Sequence, residues 1–324
     1  MKLGNKNRLE AQRPDQSARI RMLTIFAVPK PFKGHIGTIQ RNAIRSWTQL
    51  SPHCQVILCG DETGCRETAL EFSVEYVGDI ERNEFGTPLL SSVFQRAEEH
   101  AVHGFLCYVN ADLILFADFV KAVRRVTEIE RRFLLVGRTL DVDVQEELTD
   151  RGDNWEVDLR RRAAELGTPR PADAIDFFVF TRDAIGLLPP FAVGRPSWDN
   201  WMIYRALSRR VPVIDISSST LVIHQSHGYE HVKQQRGDRW EGPEGDRNRA
   251  LLGVYRRNLL SLDDATYRLT PTGLVRIPAG NLKRRMRTAY LVSPMVPRAL
   301  QVLRPAYRAM RSLQQAVALR MSSG

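Results

Sequence analysis

Runs of apolar residues recur along the first 180 residues, and the stretches between them carry apolar side chains at helical spacing. Residues 22–28 form a continuous apolar run that Pro29 ends, and residues 36–50 have the spacing of an amphipathic helix. Similar apolar runs lie at residues 55–59, 72–77, 104–109, 132–136 and 174–180. Apolar strands that alternate with helices are typical of a mostly parallel sheet with helices on both faces. The pattern therefore predicts an α/β fold.

Turn-forming residues follow three of the predicted strands, at the ends where parallel sheets usually bind ligands. Pro29 follows the first strand, Asp61 follows the second, and Asn110 and Asp112 follow the strand at 104–109. We expect these positions to converge on one crevice. Because Asn and Asp are common turn formers, ordinary turns are the alternative interpretation of Asp61 and of the Asn110–Asp112 pair.

Two common phosphate-binding motifs are missing from the sequence. No Gly-x-Gly-x-x-Gly follows the first strand, and the chain has no Gly-Lys-Ser/Thr loop. A divalent cation held by Asp112 could bind phosphates instead, because Mg²⁺ and Mn²⁺ prefer oxygen ligands and typically bridge a carboxylate to a diphosphate.

Two further carboxylates stand in unusual surroundings. Asp176 lies within an apolar strand, where it must be hydrogen-bonded or paired, so we expect it to face either a polar network or the site. Asp199 precedes a predicted helix at 202–207 and could be its N-cap. The neighbouring Arg195 and Trp198 favour a ligand site over a simple cap.

Three histidines, His224, His227 and His231, occur within eight residues directly after an apolar strand. An isolated histidine usually has a structural role, whereas a cluster near acids is typical of a metal-ligand set or an acid–base site.

Basic residues are concentrated at the two ends of the chain. Residues 1–21 contain six Lys and Arg against two acids, and residues 281–324 contain nine and no acid. Residues 22–280 have 32 basic and 35 acidic side chains, so the net charge of +10 belongs to the tails. Nucleic-acid recognition normally needs a basic face on the folded domain itself, and we therefore expect no nucleic acid partner.

The C-terminal segment 282–320 mixes apolar and basic residues, and three prolines divide it into short predicted helices. Such a segment fits an anionic membrane surface, and a solvated tail or a dimer contact is the alternative. The chain has no run of 18 apolar residues, and its N-terminus lacks the apolar core of a secretory signal. We expect a cytoplasmic protein, with a tail suited to peripheral attachment at the inner face of the membrane.

Five segments, in this order, resemble the nucleotide-diphospho-sugar transferases of the glycosyltransferase A fold, and in particular glycosyltransferase family 2. They are Phe26-Ala-Val-Pro-Lys-Pro-Phe32, Gln40-Arg-Asn-Ala-Ile-Arg-Ser-Trp47, Tyr108-Val-Asn-Ala-Asp112, Gly194-Arg-Pro-Ser-Trp-Asp-Asn-Trp201 and Val222-Ile-His-Gln-Ser-His-Gly-Tyr229. The resemblance covers about residues 22–235. It implies a catalytic domain at 22–260, between a basic N-terminal tail at 1–21 and a C-terminal extension with basic helices at 261–324.

The same resemblance implies a metal site. Asn110-Ala-Asp112 is similar to the Asp-x-Asp motif that holds Mn²⁺ or Mg²⁺ against the donor diphosphate, and Asp112 matches its last acid. Asn110 departs from the motif, since it offers a carbonyl oxygen but no charge. A histidine after the late strand commonly completes the metal site in this fold, with His224 as the first candidate and His227 as the second.

Substrate contacts are implied as well. Asp61 is similar in position to the acid that contacts the nucleoside, and Pro29 and Asp176 are expected beside the donor. Asp199 matches the acid that removes the proton of the acceptor hydroxyl in inverting members, so we prefer an inverting reaction.

Arg195 and Trp198 are expected to contact the acceptor.

The leading hypothesis from this resemblance is a metal-dependent glycosyltransferase that uses a nucleotide-diphosphate sugar and a glycan or lipid-linked acceptor of the cell envelope. A nucleotidyltransferase of similar fold is one alternative, which the lack of a Gly-rich, basic loop after the first strand disfavours. The other is a non-catalytic binding module recruited to membranes by its basic tail, in which the acids are structural.

Overall fold

The structure is a computed structural model that describes residues 23–148, 154–227, 242–252 and 260–278, with five further positions at 286, 288, 289, 291 and 292. In this part of the chain the strands are β1 (Leu23–Ala27), β2 (Gln55–Cys59), β3 (Glu75–Val77), β4 (Phe105–Val109), β5 (Leu113–Leu115), β6 (Leu134–Val136), β7 (Leu140–Val142), β8 (Thr168–Pro169), β9 (Phe177–Thr181), β10 (Val213–Asp215), β11 (Val222–Gln225), β12 (Tyr267–Thr270) and β13 (Gly273–Arg276). The helices are α1 (Gly34–Thr48), α2 (Cys65–Glu71), α3 (Leu90–His100), α4 (Ala117–Ile129), α5 (Trp155–Leu166), α6 (Arg182–Ile185), α7 (Trp198–Ser208) and α8 (Pro243–Leu251).

Nine of these strands form a central sheet in the order β13-β12-β10-β6-β9-β4-β1-β2-β3. Five of its eight neighbouring pairs are parallel, which confirms the predicted mostly parallel sheet. The antiparallel pairs are β12 with β13 and β9 with both of its neighbours. All five residues of β9 are buried. A strand that is buried on both faces has the same apolar pattern in either direction, so the pattern could not predict the direction of β9.

Helices cover both faces of the central sheet, as the apolar strands predicted. Successive side chains of a strand point to opposite faces, so neighbours in β1 enter different layers. Ile25 packs in one apolar cluster with Trp47 of α1 and Phe119 of α4. Phe26 packs in the opposite cluster, where its ring lies 5.0 Å from that of Phe94 on α3. β1 must therefore be apolar at every position.

A smaller sheet of four strands, β5-β11-β7-β8, lies beside the end of β4. Strand β11 pairs with β5 in antiparallel orientation, which places His224 opposite Leu113. It pairs with β7 in parallel orientation, which places His224 opposite Asp141. Strands β7 and β8 and helix α5 overlap the polar segment 141–171, and α5 packs on β5 and β11 through a small apolar cluster.

Part of the predicted C-terminal extension joins the central sheet. Strand β12 pairs with β10, and β13 forms a hairpin with β12, so residues 267–276 continue the sheet past the expected boundary at residue 260. The basic tail at 1–21 and nearly all of the basic segment 281–324 lie outside the described residues. None of the helices in the described ranges combines the length and the apolar character that crossing a bilayer requires.

The packing of β1 gives the first testable prediction. Phe26→Ala should lower the free energy of unfolding by about 3–5 kcal/mol, because it removes a fully buried ring from the core. Urea unfolding followed by circular dichroism measures this loss. The matched control is Phe85→Ala, since Phe85 is 53% exposed, and its effect should stay within about 0.5 kcal/mol. Equal losses in the two variants would contradict the packing described for Phe26.

Candidate metal centre

Asp112, His224 and His227 come together at the junction of the two sheets. Asp112 lies between β4 and β5, His224 is on β11, and His227 follows two residues after that strand. One possible ligand atom from each residue lies within 4.8 Å of the others. The Nε2 atom of His227 is 3.1 Å from Oδ2 of Asp112, and Nε2 of His224 is 3.6 Å from the same oxygen. The structure thus unites the three predicted ligands, while His231 lies outside the described residues.

A buried carboxamide holds the backbone at Asp112. The backbone N–H and the side-chain Nε2 of Gln225 both donate to the carbonyl oxygen of Asp112, at 3.2 and 3.1 Å. The same Nε2 donates to the carbonyl oxygen of Ile39 in α1 at 2.7 Å. Asn42, also in α1, donates to Oε1 of Gln225 at 3.1 Å. Helix α1 and strand β11 therefore fix the Asp112 loop from two sides.

The electrostatics of the cluster favour an anionic Asp112. Burial raises the pKa of its carboxyl, but the charges of His224 and Lys30 and the hydrogen bond from His227 outweigh burial and hold the pKa well below its usual range. Burial lowers the pKa of His224, but Asp112 and the hydrogen bond with Asp141 raise it more, so the net shift is upward. The carboxylate thus draws positive charge to this point.

The side chains fit a divalent cation. Oδ1 of Asp112 is buried and has no hydrogen-bond partner among the described residues, which leaves it a lone pair to offer. One carboxylate and two imidazoles are a common ligand set for first-row transition ions. We therefore infer that a cation held here would be bound by Asp112, His224 and His227.

Asp176 lies in a buried polar network next to the cluster. Its Oδ1 accepts a hydrogen bond from the side chain of Asn110 at 3.0 Å, and its Oδ2 accepts one from Thr139 at 2.8 Å. Arg170 forms an ion pair with it, with Nε 3.1 Å from Oδ2. The structure therefore places Asp176 in a buried polar network, and its role beside the donor remains a prediction. Asn110 donates its amide to this network, which leaves its carbonyl oxygen as the atom it could offer a ligand.

Asp199 is the fourth predicted acid of the site. The N-cap of α7 is Ser197, so the simple cap role considered for Asp199 does not apply. Instead the Asp199 carboxyl accepts a hydrogen bond from the N–H of Asn200 at 2.9 Å. Burial raises the pKa of Asp199 to about 7, the hydrogen bond to Asn200 opposes this shift, and the charge of Asp176 adds to it.

Tyr108 links the acids. Burial raises the pKa of its phenol, and the charges of Asp112, Asp176 and Asp199 raise it further. Its ring packs edge-on against Trp198, with the centroids 5.0 Å apart. The three carboxylates therefore all lie near enough to this buried side chain on β4 for their charges to act on it.

The loop after β1 reaches the same place. Pro29 is buried and leads into the exposed Lys30, whose backbone N–H and carbonyl are both bound by the side chain of Gln40, at 2.6 and 2.9 Å. The charge of Lys30 contributes to the lowered pKa of Asp112.

Asp61 stands after the neighbouring strand β2, where it is exposed and forms an ion pair with Arg82. The hydrogen bond from Arg82 lowers the pKa of Asp61.

The two residues expected at the acceptor are held by the protein itself. Arg195 forms an ion pair with Glu244 of α8, and its Nε donates to that carboxylate at 2.9 Å. Trp198 is only 7% exposed and packs against Tyr108 and Phe178. Their acceptor roles remain predictions.

No protein-family model matches this chain, and no curated protein matches it either. Solved structures do. Glucosyl-3-phosphoglycerate synthase from Mycobacterium tuberculosis, in complex with Mn²⁺, uridine diphosphate and phosphoglyceric acid, is similar with a TM-score of 0.45 and 12% identity, over 74% of this chain and 79% of that one. The same synthase with Mg²⁺ and uridine diphosphate gives a TM-score of 0.43 and 13% identity, over 79% and 86% of the two chains.

Residues 1–349 of S. aureus TarS, in complex with UDP-GlcNAc, are also similar, with a TM-score of 0.49 and 12% identity, over 75% of this chain and 68% of that one.

The metal cluster can be tested directly. A bound cation should raise the melting temperature of the wild-type protein, since binding at about a hundred times Kd adds roughly 2.7 kcal/mol of stability. Asp112→Ala should abolish most of this shift on addition of MnCl₂, because it removes the only carboxylate of the ligand set. Asp79→Ala is the control, since the Asp79 side chain is 89% exposed. A full Mn²⁺ shift in the Asp112 variant would show that the cation binds elsewhere.

Proposed function

We propose that this protein is a metal-dependent glycosyltransferase that moves a sugar from a nucleotide-diphosphate donor to a hydroxyl group of an acceptor. The observation that carries the proposal is the arrangement around Tyr108. A candidate set of metal ligands, which includes Asp112, and a second carboxylate, Asp199, whose pKa burial raises to about 7, both lie near enough to the buried Tyr108 for their charges to raise the pKa of its phenol. Such a pair suits a reaction in which one group stabilises a leaving diphosphate and another accepts a proton.

The metal ligands favour Mn²⁺ over Mg²⁺. Mg²⁺ is usually held through oxygen ligands, whereas first-row transition ions such as Mn²⁺ also accept imidazole nitrogen. Asn110 adds no charge to the set, so Asp112 supplies its only formal negative charge. A bound cation would stabilise the charge that develops on the departing diphosphate by acting as a Lewis acid.

Asp199 is the proposed general base. A base works best when its pKa lies near the working pH, and a positioned carboxylate typically contributes about 10²–10⁴-fold to the rate. The burial that raises the pKa of Asp199 thus serves its role, since an ordinary surface aspartate would be a much weaker base. A base that takes the acceptor proton directly is the feature of inverting transfer, which we prefer for this reason.

The donor is proposed to lie along the ends of β1, β2 and β4. Asp61, held by Arg82, is suited to hydrogen-bond the nucleoside, and Pro29 and Asn110 would line the path to the metal. Asp176 would act through Asn110, whose side chain it already binds. Arg195 and Trp198 are proposed to border the acceptor, which we suggest is a glycan or lipid-linked molecule of the cell envelope.

The pH dependence tests the role of Asp199. The raised pKa means that the carboxylate form needed for proton transfer is present above about pH 7 and is lost as the pH falls through that value. The kcat/KM of the wild-type enzyme should therefore fall on the acid side of about pH 7.

Asp199→Asn should lower kcat by about 10²–10⁴-fold while leaving the Mn²⁺ affinity unchanged, because the amide keeps the size of the side chain but accepts no proton. Asp79→Asn serves as the exposed control. If Asp199→Asn transferred sugar at the wild-type rate, Asp199 would not be the base.

A screen of nucleotide sugars tests the reaction class. At least one nucleotide-diphosphate sugar should raise the melting temperature in the presence of Mn²⁺ and much less in EDTA, because a cation held by Asp112, His224 and His227 would attract the diphosphate. The donors found in this way can then be used to assay transfer. Release of pyrophosphate from a nucleoside triphosphate and a sugar phosphate would favour the nucleotidyltransferase alternative instead.

A further inference from the structure

The ring of His224 is held by a carboxylate that does not belong to the metal cluster. Its Nδ1 lies 2.7 Å from Oδ1 of Asp141, whereas its Nε2 is the atom nearer to Asp112. A carboxylate can only accept, so Nδ1 carries the hydrogen of this bond, and Nε2 is the ring nitrogen whose lone pair can accept from Nη1 of Arg170 or bind a metal. Carboxylates in this position fix the tautomer and the orientation of metal-binding histidines in many proteins.

The backbone determines where Asp141 stands. Strands β7 and β11 are parallel, and His224 and Asp141 are paired residues in their register. Strand β8 supports β7 from the other side, with Thr168 opposite Asp141. Asp141 is therefore fixed relative to His224 by two strand pairings and not by the rotamer of a free loop.

Arg170, just after β8, ties Asp141 to the rest of the site. Its Nη1 donates to Oδ1 of Asp141 at 3.1 Å, and its Nε forms the ion pair with Asp176. Nη1 also lies 3.1 and 3.3 Å from the two ring nitrogens of His224, so the guanidinium is next to the imidazole. The backbone N–H of Arg170 donates to the carbonyl of Thr139 at 3.0 Å.

These contacts form a continuous chain of side chains that links His224 to the loop of Asp112. It runs from His224 through Asp141 and Arg170 to Asp176, and Asp176 binds the side chain of Asn110. Asn110 is two residues before Asp112, the carboxylate ligand. The guanidinium of Arg170 thus contacts both Asp141, which binds His224, and Asp176, which binds Asn110 in the loop of Asp112.

We propose that Asp141 and Arg170 are positioning residues of the metal centre, with Asp141 orienting His224 and Arg170 holding Asp141 and Asp176 at a fixed separation. The inference rests on the proposed metal site and extends it to the segment that contributes β7 and β8. That segment is then part of the metal centre.

The experiment measures Mn²⁺ affinity of the full chain without any donor, by the paramagnetic resonance signal of free Mn²⁺. Asp141→Ala should weaken binding by about tenfold to a hundredfold, because the imidazole loses its orienting partner. Asp141→Asn should weaken it less, since the amide oxygen can still accept from Nδ1. Asp143→Ala is the matched control, because Asp143 is an exposed acid two residues further along the same segment, and its affinity should equal that of the wild type.

Arg170→Lys tests the second residue. Lysine keeps the charge but lacks the planar fork that reaches two carboxylates, so Mn²⁺ affinity should fall to a value between those of the wild type and of Asp141→Ala. In the double variant Asp141→Ala/Arg170→Lys, the loss should be smaller than the product of the two single losses, since both act through His224. Independent, multiplicative losses would overturn the role assigned to Arg170.

Melting of the metal-free variants in EDTA separates positioning from mere structural support. Asp141→Ala should keep the Mn²⁺-free melting temperature near that of the wild type while losing most of the Mn²⁺-induced shift. His224→Ala is the reference for loss of a ligand. If His224→Ala loses Mn²⁺ and Asp141→Ala binds it as tightly as the wild type, the positioning inference is wrong and the metal site stands. If the wild type binds no Mn²⁺, both are wrong.

Discussion

The pairing of β5 with β11 is the interaction on which the candidate site depends. It is a contact between segments more than a hundred residues apart, and it sets His224 opposite the residue that follows Asp112. A shift of this register by one residue would turn the imidazole to the other face of the small sheet. The double hydrogen bond from Gln225 to the Asp112 carbonyl opposes such a shift, because it can form only in the observed register.

The central sheet contributes a second constraint, because the ends of its strands are buried and burial changes the pKa values of the acids there. The buried Tyr108 on β4 lies within reach of the charges of Asp112, Asp176 and Asp199, and the surroundings of two of these acids affect their pKa values differently. Against the effect of burial, the charges of His224 and Lys30 and the hydrogen bond from His227 hold the pKa of Asp112 well below its usual range. Burial and the charge of Asp176 instead raise the pKa of Asp199 to about 7, so Asp199 takes up a proton more readily. The surroundings alone thus shift the pKa values of the proposed ligand and the proposed base in opposite directions.

Local patterns predicted much of this from the sequence. The strands β1 and β2 and the helix α1 lie where the apolar runs and the helical spacing placed them, because full burial leaves a clear signature. The same holds for Asp112 after β4, for His224 on β11 and for His227 just after it, because these polar residues stand within or beside apolar strands. The antiparallel direction of β9 could not be predicted, since burial on both faces hides it.

The residues missed by the sequence analysis owe their place to long-range pairing. Asp141 and Arg170 stand in a polar segment, and β7 is only three residues long, so no periodicity marks them. Gln225 was overlooked beside the two histidines, although a carboxamide in an apolar strand needs hydrogen-bond partners as much as a carboxylate does. A carboxamide within an apolar run can thus indicate a site residue from the sequence, whereas the pairing of strands as short as β7 cannot be read from it.

The clamp made by Gln225 has a consequence for how the molecule opens. Its carboxamide joins α1, β11 and the Asp112 loop, and Asn42 extends the connection to the backbone of Glu146 and Leu148. None of these groups can exchange its hydrogen bonds for water without exposing the others. The cluster, the first helix and the beginning of the 141–171 segment therefore form one cooperative unit in local unfolding, and a ligand that stabilises the cluster also slows amide exchange in α1.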